Sequence, residues 1–448
     1  MMLSTCLALI ALGSPGAGPG VRPAAHEHAH AHSCATCGGH HVPGRVGELV
    51  AAAYREADRE DVPPATAPPE QGPPNPADNP KMVPDRDVQR DINAGRQYAA
   101  EIDKILERTE DREMQERVER IGAILAEIAN QQAVDVMWGD RRFAAFPYEF
   151  RVVKGDDVNA FSLPGGIIYV YEGLVKFAES RDELAGVLAH EISHAAFRHV
   201  ATLERERSRL DILNIPLIIA AVLSRDPNAA RAMTGANLAT QGLVSGWSVQ
   251  AETAADFGAL QYMRQSQFNP VAVLTFMERL AFREQLKPQV QWGIYQTHPP
   301  SVQRAAFILR WLNEQGIPVR RSEVTTSLSA KNLPVENHFE LWFGNVRIHT
   351  FRGEGARDRG ARALLRLNEF MDSVPQTFQF RPSGPEMLGN GRTLFVIEPQ
   401  DAGDPEQTVA TMSAASSAAL RRVIYDLRFR LWAVPPTLSP VEDTLGLR

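Results

Sequence analysis

The chain has 448 residues, with 47 basic and 54 acidic side chains and a net charge of −7. This balance leaves no basic excess to neutralise phosphates, so the composition argues against a nucleic-acid-binding protein. Three cysteines cannot form a disulfide framework in so long a chain. The sequence has no apolar run near the ~20 residues of a membrane-spanning helix, which excludes a polytopic membrane protein.

The first 85 residues are predicted to hold a leader and a linker rather than a packed domain. Residues 1–20 are a candidate signal peptide, but no basic n-region precedes the apolar stretch, so a plain apolar leader or a misassigned start is the alternative. Residues 21–85 combine a tract rich in His and Cys with a proline-rich linker, and we predict that they are disordered. The tract could bind metal loosely, or Cys34 and Cys37 could form a small disulfide in an exported protein.

Helical periodicity begins after this linker. Apolar residues recur every three or four positions between 111 and 130, which predicts an amphipathic helix, and a second helix is expected over about 86–107. Residues 148–154 and 167–171 are rich in β-formers and are separated by a Pro-Gly-Gly turn. We therefore expect a small antiparallel sheet after the first two helices.

The next helix carries the main chemical signal. A capping box at Ser180–Glu183 starts it, and its sequence continues through residue 200 with apolar residues almost all round, as in a buried helix. It contains His190-Glu191-Ile192-Ser193-His194, an HExxH pattern. Residues four apart share one face of a helix, so His190 and His194 can reach one metal ion, with Glu191 beside them as a proton acceptor. A chance HExxH in a structural helix is the alternative.

A second helical segment supplies Glu252 and Asp256. Glu252 can complete a His₂Glu zinc site that keeps one position open to water, and Asp256 can orient a ligand histidine. The rival third ligands are weaker candidates. Glu204 and Glu206 lie in a charged, solvated stretch, and His199 would be rotated roughly 140° away from His194 on a continuous helix. We assign His199 to support or packing rather than to metal binding.

Four segments, in this order along the chain, resemble the M48 family of zinc metallopeptidases, and in particular its soluble envelope members. They are NAFSLPGGIIYVYEGLV, DELAGVLAHEISHAAFRHV, AETAADFGALQYM and THPPSVQR. The resemblance covers about residues 86–315. It implies a mainly helical gluzincin-type peptidase fold with a small sheet. It also implies that His190, His194 and Glu252 bind zinc, that Glu191 is the general base, and that Asp256 supports a ligand.

The same resemblance implies that Asn159, Ala160 and Phe161 form the edge strand of the active site. Main-chain groups of such an edge can bind an extended peptide; ordinary sheet core is the alternative. It also matches His298 to a late His-Pro motif, with Arg304 six residues further on. Either residue could stabilise an oxyanion or control water access, or His298 could be a simple loop residue.

Residues 316–448 are predicted to form an accessory α+β domain. Strands are expected on both sides of Gly344-Asn345, then a helix, two strand-like segments and a closing helix, with His338 and His349 in structural roles. No 34-residue helical repeat is present in the sequence. Between the two zinc-site segments, residues 209–223 are apolar but interrupted by Asn214 and Pro216, which favours a core or lid helix over a segment dipping into a membrane.

These features predict an α+β protein that is an exported zinc metalloendopeptidase with one catalytic Zn²⁺. We expect polypeptide substrates, a periplasmic or otherwise extracytoplasmic location, and a role in protein quality control of the envelope. Membrane association without spanning is compatible with the sequence, and the oligomeric state is not predicted. The alternatives are a chaperone-like binding protein with an occluded zinc site and a metal buffer that uses the histidine tract.

Overall fold

The computed structural model describes residues 82–206, 249–286 and 302–431. The candidate signal peptide, the His/Cys-rich tract, nearly all of the proline-rich linker, the predicted core or lid helix at 209–223 and His298 lie outside these ranges. The described helices, in chain order, are α1 Asp85–Ile102, α2 Arg112–Gln131, α3 Glu172–Phe177, α4 Arg181–Ala196, α5 His199–Glu206, α6 Val249–Arg264, α7 Val271–Leu286, α8 Val302–Glu314, α9 Ala356–Asp372 and α10 Val409–Arg430.

The described strands are β1 Glu149–Val153, β2 Ala160–Ser162, β3 Ile167–Tyr171, β4 Ala330–Val335, β5 His338–Phe343, β6 Val346–Phe351, β7 Phe380–Ser383, β8 Glu386–Gly389 and β9 Arg392–Val396. Helices and small sheets alternate along the chain, which confirms the predicted mixture of helix and sheet. The predicted first two helices correspond to α1 and α2. The Asp111 side chain caps α2 by accepting a hydrogen bond from the amide of Met114 at 2.9 Å.

The first sheet differs from the prediction in one pairing. Its strand order is β1-β3-β2, and β2 pairs with β3 in the predicted antiparallel sense. The pair of β1 with β3 is parallel, with Glu149 opposite Ile167, so the expectation of a purely antiparallel sheet was wrong. The hairpin from β2 to β3 fills one side of β3, and β1 therefore occupies the other side, where its chain direction matches that of β3.

The predicted cap and burial of α4 are confirmed. Ser180 accepts a hydrogen bond from the amide of Glu183 at 3.0 Å, and the Glu183 side chain accepts one from the amide of Glu179 at 2.8 Å. Every residue from Glu183 to Ala196 is buried. Helix α4 packs against α2, α6 and α7, so it forms the centre of the N-terminal core.

The helix does not continue through residue 200 as predicted. It ends at Ala196, and α5 begins at His199 after a break in which Arg198 has a φ of 51°. A left-handed conformation is unfavourable for a residue with a side chain. Here the buried guanidinium of Arg198 compensates by binding Asp91 and Asp140, with the closest N–O distance 2.6 Å in each pair. The break redirects the chain that follows the metal-binding pattern.

The C-terminal part contains two successive units of three antiparallel strands and one helix. Strands β4-β5-β6 precede α9, and strands β7-β8-β9 precede α10. Helix α9 contacts β4, β5 and β9, while α10 contacts β6, β7 and β8, so each helix packs on strands of both units. The predicted hairpin at Gly344 and both helices are confirmed. The sequence reading missed β4, which contains Pro334, and the short β8.

Separate apolar clusters stabilise the two parts of the chain. One spans residues from Val118 to Val324, and another spans residues from Leu328 to Leu431. The domain boundaries that we expect after residues 85 and 315 remain predictions. Within the described ranges, no helix combines the length and apolar character required to cross a bilayer.

Candidate metal centre and active site

Helix α4 presents two imidazoles from one face. His190 and His194 lie one turn apart and are both buried, and their Nε2 atoms are 3.1 Å from each other. The rings meet nearly edge to face, with centroids 4.8 Å apart. The four-residue spacing therefore converges two nitrogen donors on one point, as the sequence predicted.

Helix α6 brings the third donor to the same point. Glu252 Oε2 lies 3.4 Å from His190 Nε2, and its Oε1 lies 3.5 Å from His194 Nε2. The close packing of α6 on α4 depends on Gly258, because a Cβ there would collide with the hydroxyl of Ser193. The carboxylate itself is fully buried, and a buried carboxylate requires a partner charge or a metal.

These three side chains fit a divalent cation such as Zn²⁺. His190, His194 and Glu252 each offer a ligand atom, and these atoms all lie within 4.8 Å of one another. In a tetrahedral zinc site with bonds of roughly 2.0–2.2 Å, neighbouring ligand atoms are about 3.3–3.6 Å apart. The observed separations of 3.1–3.5 Å agree with that spacing. Three protein ligands from two helices are the set used by catalytic rather than structural zinc sites.

The ring of His190 is held from behind by a carboxylate. Its Nδ1 lies 3.0 Å from Asp256 Oδ1. Burial works against the charged form of His190, but hydrogen bonds to Asp256 and Glu252 outweigh burial and raise its pKa to about 9. Asp256 is thus placed to orient the ring of His190, the position predicted for it.

Arg304 connects the two acids of α6. It donates hydrogen bonds from Nε and Nη2 to Asp256, both at 2.7 Å, and its Nη1 lies 3.1 Å from Glu252 Oε2. Burial opposes the ionised form of Asp256, yet the positive charge of Arg304 and its hydrogen bonds lower the pKa of that carboxyl. Arg304 therefore binds both carboxylates, and its predicted role in stabilising an oxyanion or controlling water access stays a prediction.

The ring of His194 is held by a different kind of partner. Its Nδ1 lies 2.9 Å from Nδ1 of His199, and His199 Nε2 lies 3.0 Å from the main-chain oxygen of Trp138. Burial lowers the pKa of His199 to about 4, against the opposing effect of its bond to Trp138. The structure thus places His199 between the candidate metal ligand His194 and the main-chain oxygen of Trp138.

Glu191 lies beside these donors in a cavity. The carboxylate is fully buried, and its negative charge interacts with the guanidinium of Arg304. The polar residues that line the cavity are Glu191, His190, Asp256 and Arg304. The apolar lining residues include Val187, Val273, Phe276, Met277 and Leu280. A general base next to an apolar cavity is the arrangement expected where a side chain of a substrate binds.

The strand predicted to bind substrate is an outer strand of its sheet. Strand β2 contacts α4, and Ser162 lines a small cavity together with His194. The side chain of Phe161 stacks on Tyr169 with ring centroids 5.0 Å apart, and the carbonyl of Asn159 accepts a hydrogen bond from the amide of Tyr171 at 2.9 Å. The side chains of this segment therefore belong to the core. Its predicted role depends on main-chain groups and remains a prediction.

Some predicted residues lie outside the described part of the chain, and one contact was missed. His298 and the side chains of Glu204 and Glu206 are not within it. The carbonyl of Trp138 was not identified from the sequence, because a main-chain oxygen has no sequence signature.

Comparison with known proteins matches residues 116–312 to the model described as Peptidase family M48. This part of the chain is therefore similar to M48 peptidases. The match includes helices α4 and α6, and it confirms the resemblance seen in the four sequence segments.

Three relatives illustrate the extent of similarity. The beta-barrel assembly-enhancing protease of Yersinia pestis is 34% identical over 139 residues, which are 30% of this chain and 28% of that protein. The mitochondrial metalloendopeptidase OMA1 of Schizosaccharomyces pombe is 33% identical over 177 residues, 39% of this chain and 50% of that protein. Metalloprotease LoiP of Escherichia coli is 28% identical over 171 residues, 38% of this chain and 65% of that protein. The chain thus spans less than two thirds of the length of each.

Proposed function

We propose that this protein is a zinc-dependent metalloendopeptidase that hydrolyses peptide bonds of polypeptide substrates. The observation that carries the proposal is the convergence of His190, His194 and Glu252 on one point, next to Glu191 and an apolar cavity. The match of residues 116–312 to the M48 family, and relatives whose names include protease or metalloendopeptidase, support the same conclusion. The two-helix ligand set is that of a gluzincin-type peptidase.

His190, His194 and Glu252 would hold the metal, and each contributes one donor atom. A Zn²⁺ ion bound there supplies Lewis acidity, which polarises a peptide carbonyl and makes water a nucleophile near neutral pH. Asp256 orients the His190 ring, and Arg304 binds both Asp256 and the Glu252 carboxylate, so the two candidate ligands keep a fixed relative position. Residues that fix ligands in this way reduce the reorganisation that accompanies the reaction.

Glu191 moves the proton in this proposal. It follows His190 directly on α4 and lines the same cavity. Its carboxylate takes a proton from the attacking water, the new C–O bond forms, and the same proton then passes to the nitrogen of the leaving amine as the C–N bond breaks. The buried, apolar surroundings keep bulk water away from these transfers.

The substrate would bind as an extended chain. Strand β2 is an outer strand that contacts α4, and such an edge can pair with a peptide through main-chain hydrogen bonds. The apolar cavity beside Glu191 would accept one hydrophobic side chain next to the cleaved bond. Binding of this kind selects unfolded or extended polypeptides.

We place this activity in the cell envelope, in protein quality control. The similarity to beta-barrel assembly-enhancing proteases and the candidate signal peptide at residues 1–20 support this location. A periplasmic or otherwise extracytoplasmic protein with peripheral membrane association is consistent with both.

The test is a Glu191→Gln variant of the full chain. It is expected to retain about one zinc per chain while casein cleavage falls at least about 1,000-fold, since the proton acceptor is lost and the zinc donors remain. Metal analysis and a fluorescent casein assay measure the two quantities. Glu113→Gln, on the exposed start of α2, is the matched control. A zinc-loaded Glu191→Gln protein that still cleaves casein at the wild-type rate would reject the role of Glu191.

A further inference from the structure

His199 lies between a metal-binding histidine and a main-chain carbonyl. Its ring is fully buried, with Nδ1 2.9 Å from His194 Nδ1 and Nε2 3.0 Å from the oxygen of Trp138. We propose that His199 is a positioning residue that fixes the tautomer and ring orientation of His194, so that Nε2 of His194 presents its lone pair to the cation. This inference depends on the proposed metal site.

The main-chain oxygen of Trp138 determines the tautomers of His199 and His194, because it can act only as a hydrogen-bond acceptor. The oxygen of Trp138 can only accept, so Nε2 of His199 carries a hydrogen and donates it. In a neutral imidazole the other nitrogen then has a free lone pair, so Nδ1 of His199 accepts from Nδ1–H of His194. His194 is left with its lone pair on Nε2, the atom that faces His190 and Glu252. A main-chain carbonyl thus determines which nitrogen of His194 binds metal.

The break after α4 is what brings His199 to this place. On an unbroken helix, a residue five positions after His194 would point roughly 140° away from it. The left-handed turn at Arg198, with a φ of 51°, returns the ring of His199 to that of His194. Arg198 is held in this conformation by its ion pairs with Asp91 and Asp140.

The loop that contains Trp138 and Gly139 packs closely against the break after α4. Gly139 has a φ of 118°, and a Cβ at this position would lie 2.6 Å from the oxygen of Phe197 and 2.9 Å from Cδ2 of His199. The amide of Asp140 donates a hydrogen bond to the same oxygen of Phe197 at 2.8 Å. The loop therefore lies directly against the break, and it holds the oxygen of Trp138 at the ring of His199.

A pair of substitutions in the full chain separates hydrogen bonding from packing. His199→Phe keeps a ring in the same space but cannot accept from His194. His199→Asn removes the ring but keeps an amide oxygen near the position of Nδ1. We expect His199→Phe to weaken zinc binding about 10–100-fold and His199→Asn to lose less than about 5-fold. Competition with a chromogenic chelator measures the zinc affinity, and His338→Phe in the C-terminal part is the matched control.

The outcomes distinguish the inference from the proposed function. Weaker zinc binding in His199→Phe, with the melting temperature of the metal-free protein within a few degrees of wild type, supports the positioning role. The opposite order, with His199→Asn weaker than His199→Phe, shows that the ring acts by packing and overturns the inference. If the wild-type protein itself binds no zinc, the proposed function fails instead.

A measurement on the wild-type protein covers the case in which His199→Phe does not fold. Nitrogen-15 NMR of the histidine-labelled, zinc-loaded protein reports which nitrogen of each ring carries hydrogen. The resonances of His194 are those that disappear in His194→Gln. We expect a protonated Nδ1 and a metal-bound Nε2 for His194; metal on Nδ1 would overturn the inference.

Discussion

Two buried histidine clusters among the described residues invite comparison. In the N-terminal part, the Nε2 atoms of His190 and His194 point at each other and at Glu252, and each ring is supported through Nδ1. In the C-terminal part, His349 is equally buried, but its Nδ1 lies 3.1 Å from Ser416 Oγ and its Nε2 lies 3.2 Å from Asp401 Oδ2. Its ring packs against Phe351 and Phe395.

The difference shows what separates a reactive site from a structural hydrogen-bond network. Both nitrogens of His349 are engaged by protein partners, and Arg359 also binds Asp401 at 3.0 Å, so the ring and the Asp401 carboxylate both have hydrogen-bonding partners. Around His190, the Nδ1 atom of each ring contacts a supporting residue, while the two Nε2 atoms converge with a carboxylate on a common point. The Ser416, His349 and Asp401 side chains in contact here are all buried away from solvent, which fits the structural role predicted for His349.

Glu252→Gln should have the largest effect. The substitution keeps the size of the side chain but removes the negative charge that completes the donor set. We expect zinc affinity to fall at least about 100-fold, more than the loss of a supporting residue would cause, and casein cleavage to fall with it. Chelator competition and the casein assay measure both. Tight binding of one zinc by Glu252→Gln would show that the two histidines do not depend on this carboxylate.

His349→Ala should lower the stability of the folded protein strongly and leave zinc binding unchanged. It leaves Asp401 and Ser416 buried without their histidine partner and opens a cavity next to Phe351. We expect the free energy of unfolding to fall by about 2–4 kcal/mol, with one zinc per chain retained. Urea unfolding and metal analysis test this, with His338→Ala as the control. Loss of zinc in His349→Ala would contradict the distinction between a metal-binding cluster around His190 and a structural cluster around His349.

Asp140→Asn should have a smaller, pH-dependent effect on the support of the metal site. Burial works against the ionised form of Asp140, but hydrogen bonds from Arg142 and the charge of Arg198 lower its pKa to about 2. A pKa lowered on folding stabilises the folded state above the ordinary pKa of 3.8, and this stabilisation is lost as the pH falls from about 4 to about 2.

We expect Asp140→Asn to lower the free energy of unfolding by about 1–2 kcal/mol at pH 7, allowing for solvent screening. The difference from wild type should narrow below pH 4. Urea titrations at pH 7 and pH 3 measure it, with exposed Asp156→Asn as the control. An equal difference at both pH values would mean that the charge of Asp140 is not what holds the loop.

Local patterns explain why much of the site could be predicted. The four-residue spacing of His190 and His194 fixes their common face once a helix forms, and Ser180 and Glu183 mark where that helix begins. Glu252 could be found because its own helix carries a recognisable acidic pattern. Periodicity and turn residues likewise predicted the helices and the hairpin of the C-terminal part. Strand β4 was not predicted, because it contains Pro334 and polar residues.

The sequence by itself indicated the candidate metal donors, the candidate proton acceptor and the mixture of helix and sheet, because these depend on residue type and on spacing within single elements. Only the tertiary structure decided the parallel pairing of β1 with β3, the commitment of Arg304 to two carboxylates, and the return of His199 to His194. These features arise from contacts between distant segments. A helix break at Arg198 is stable only when Asp91 and Asp140 are folded around it, and no local pattern contains that information.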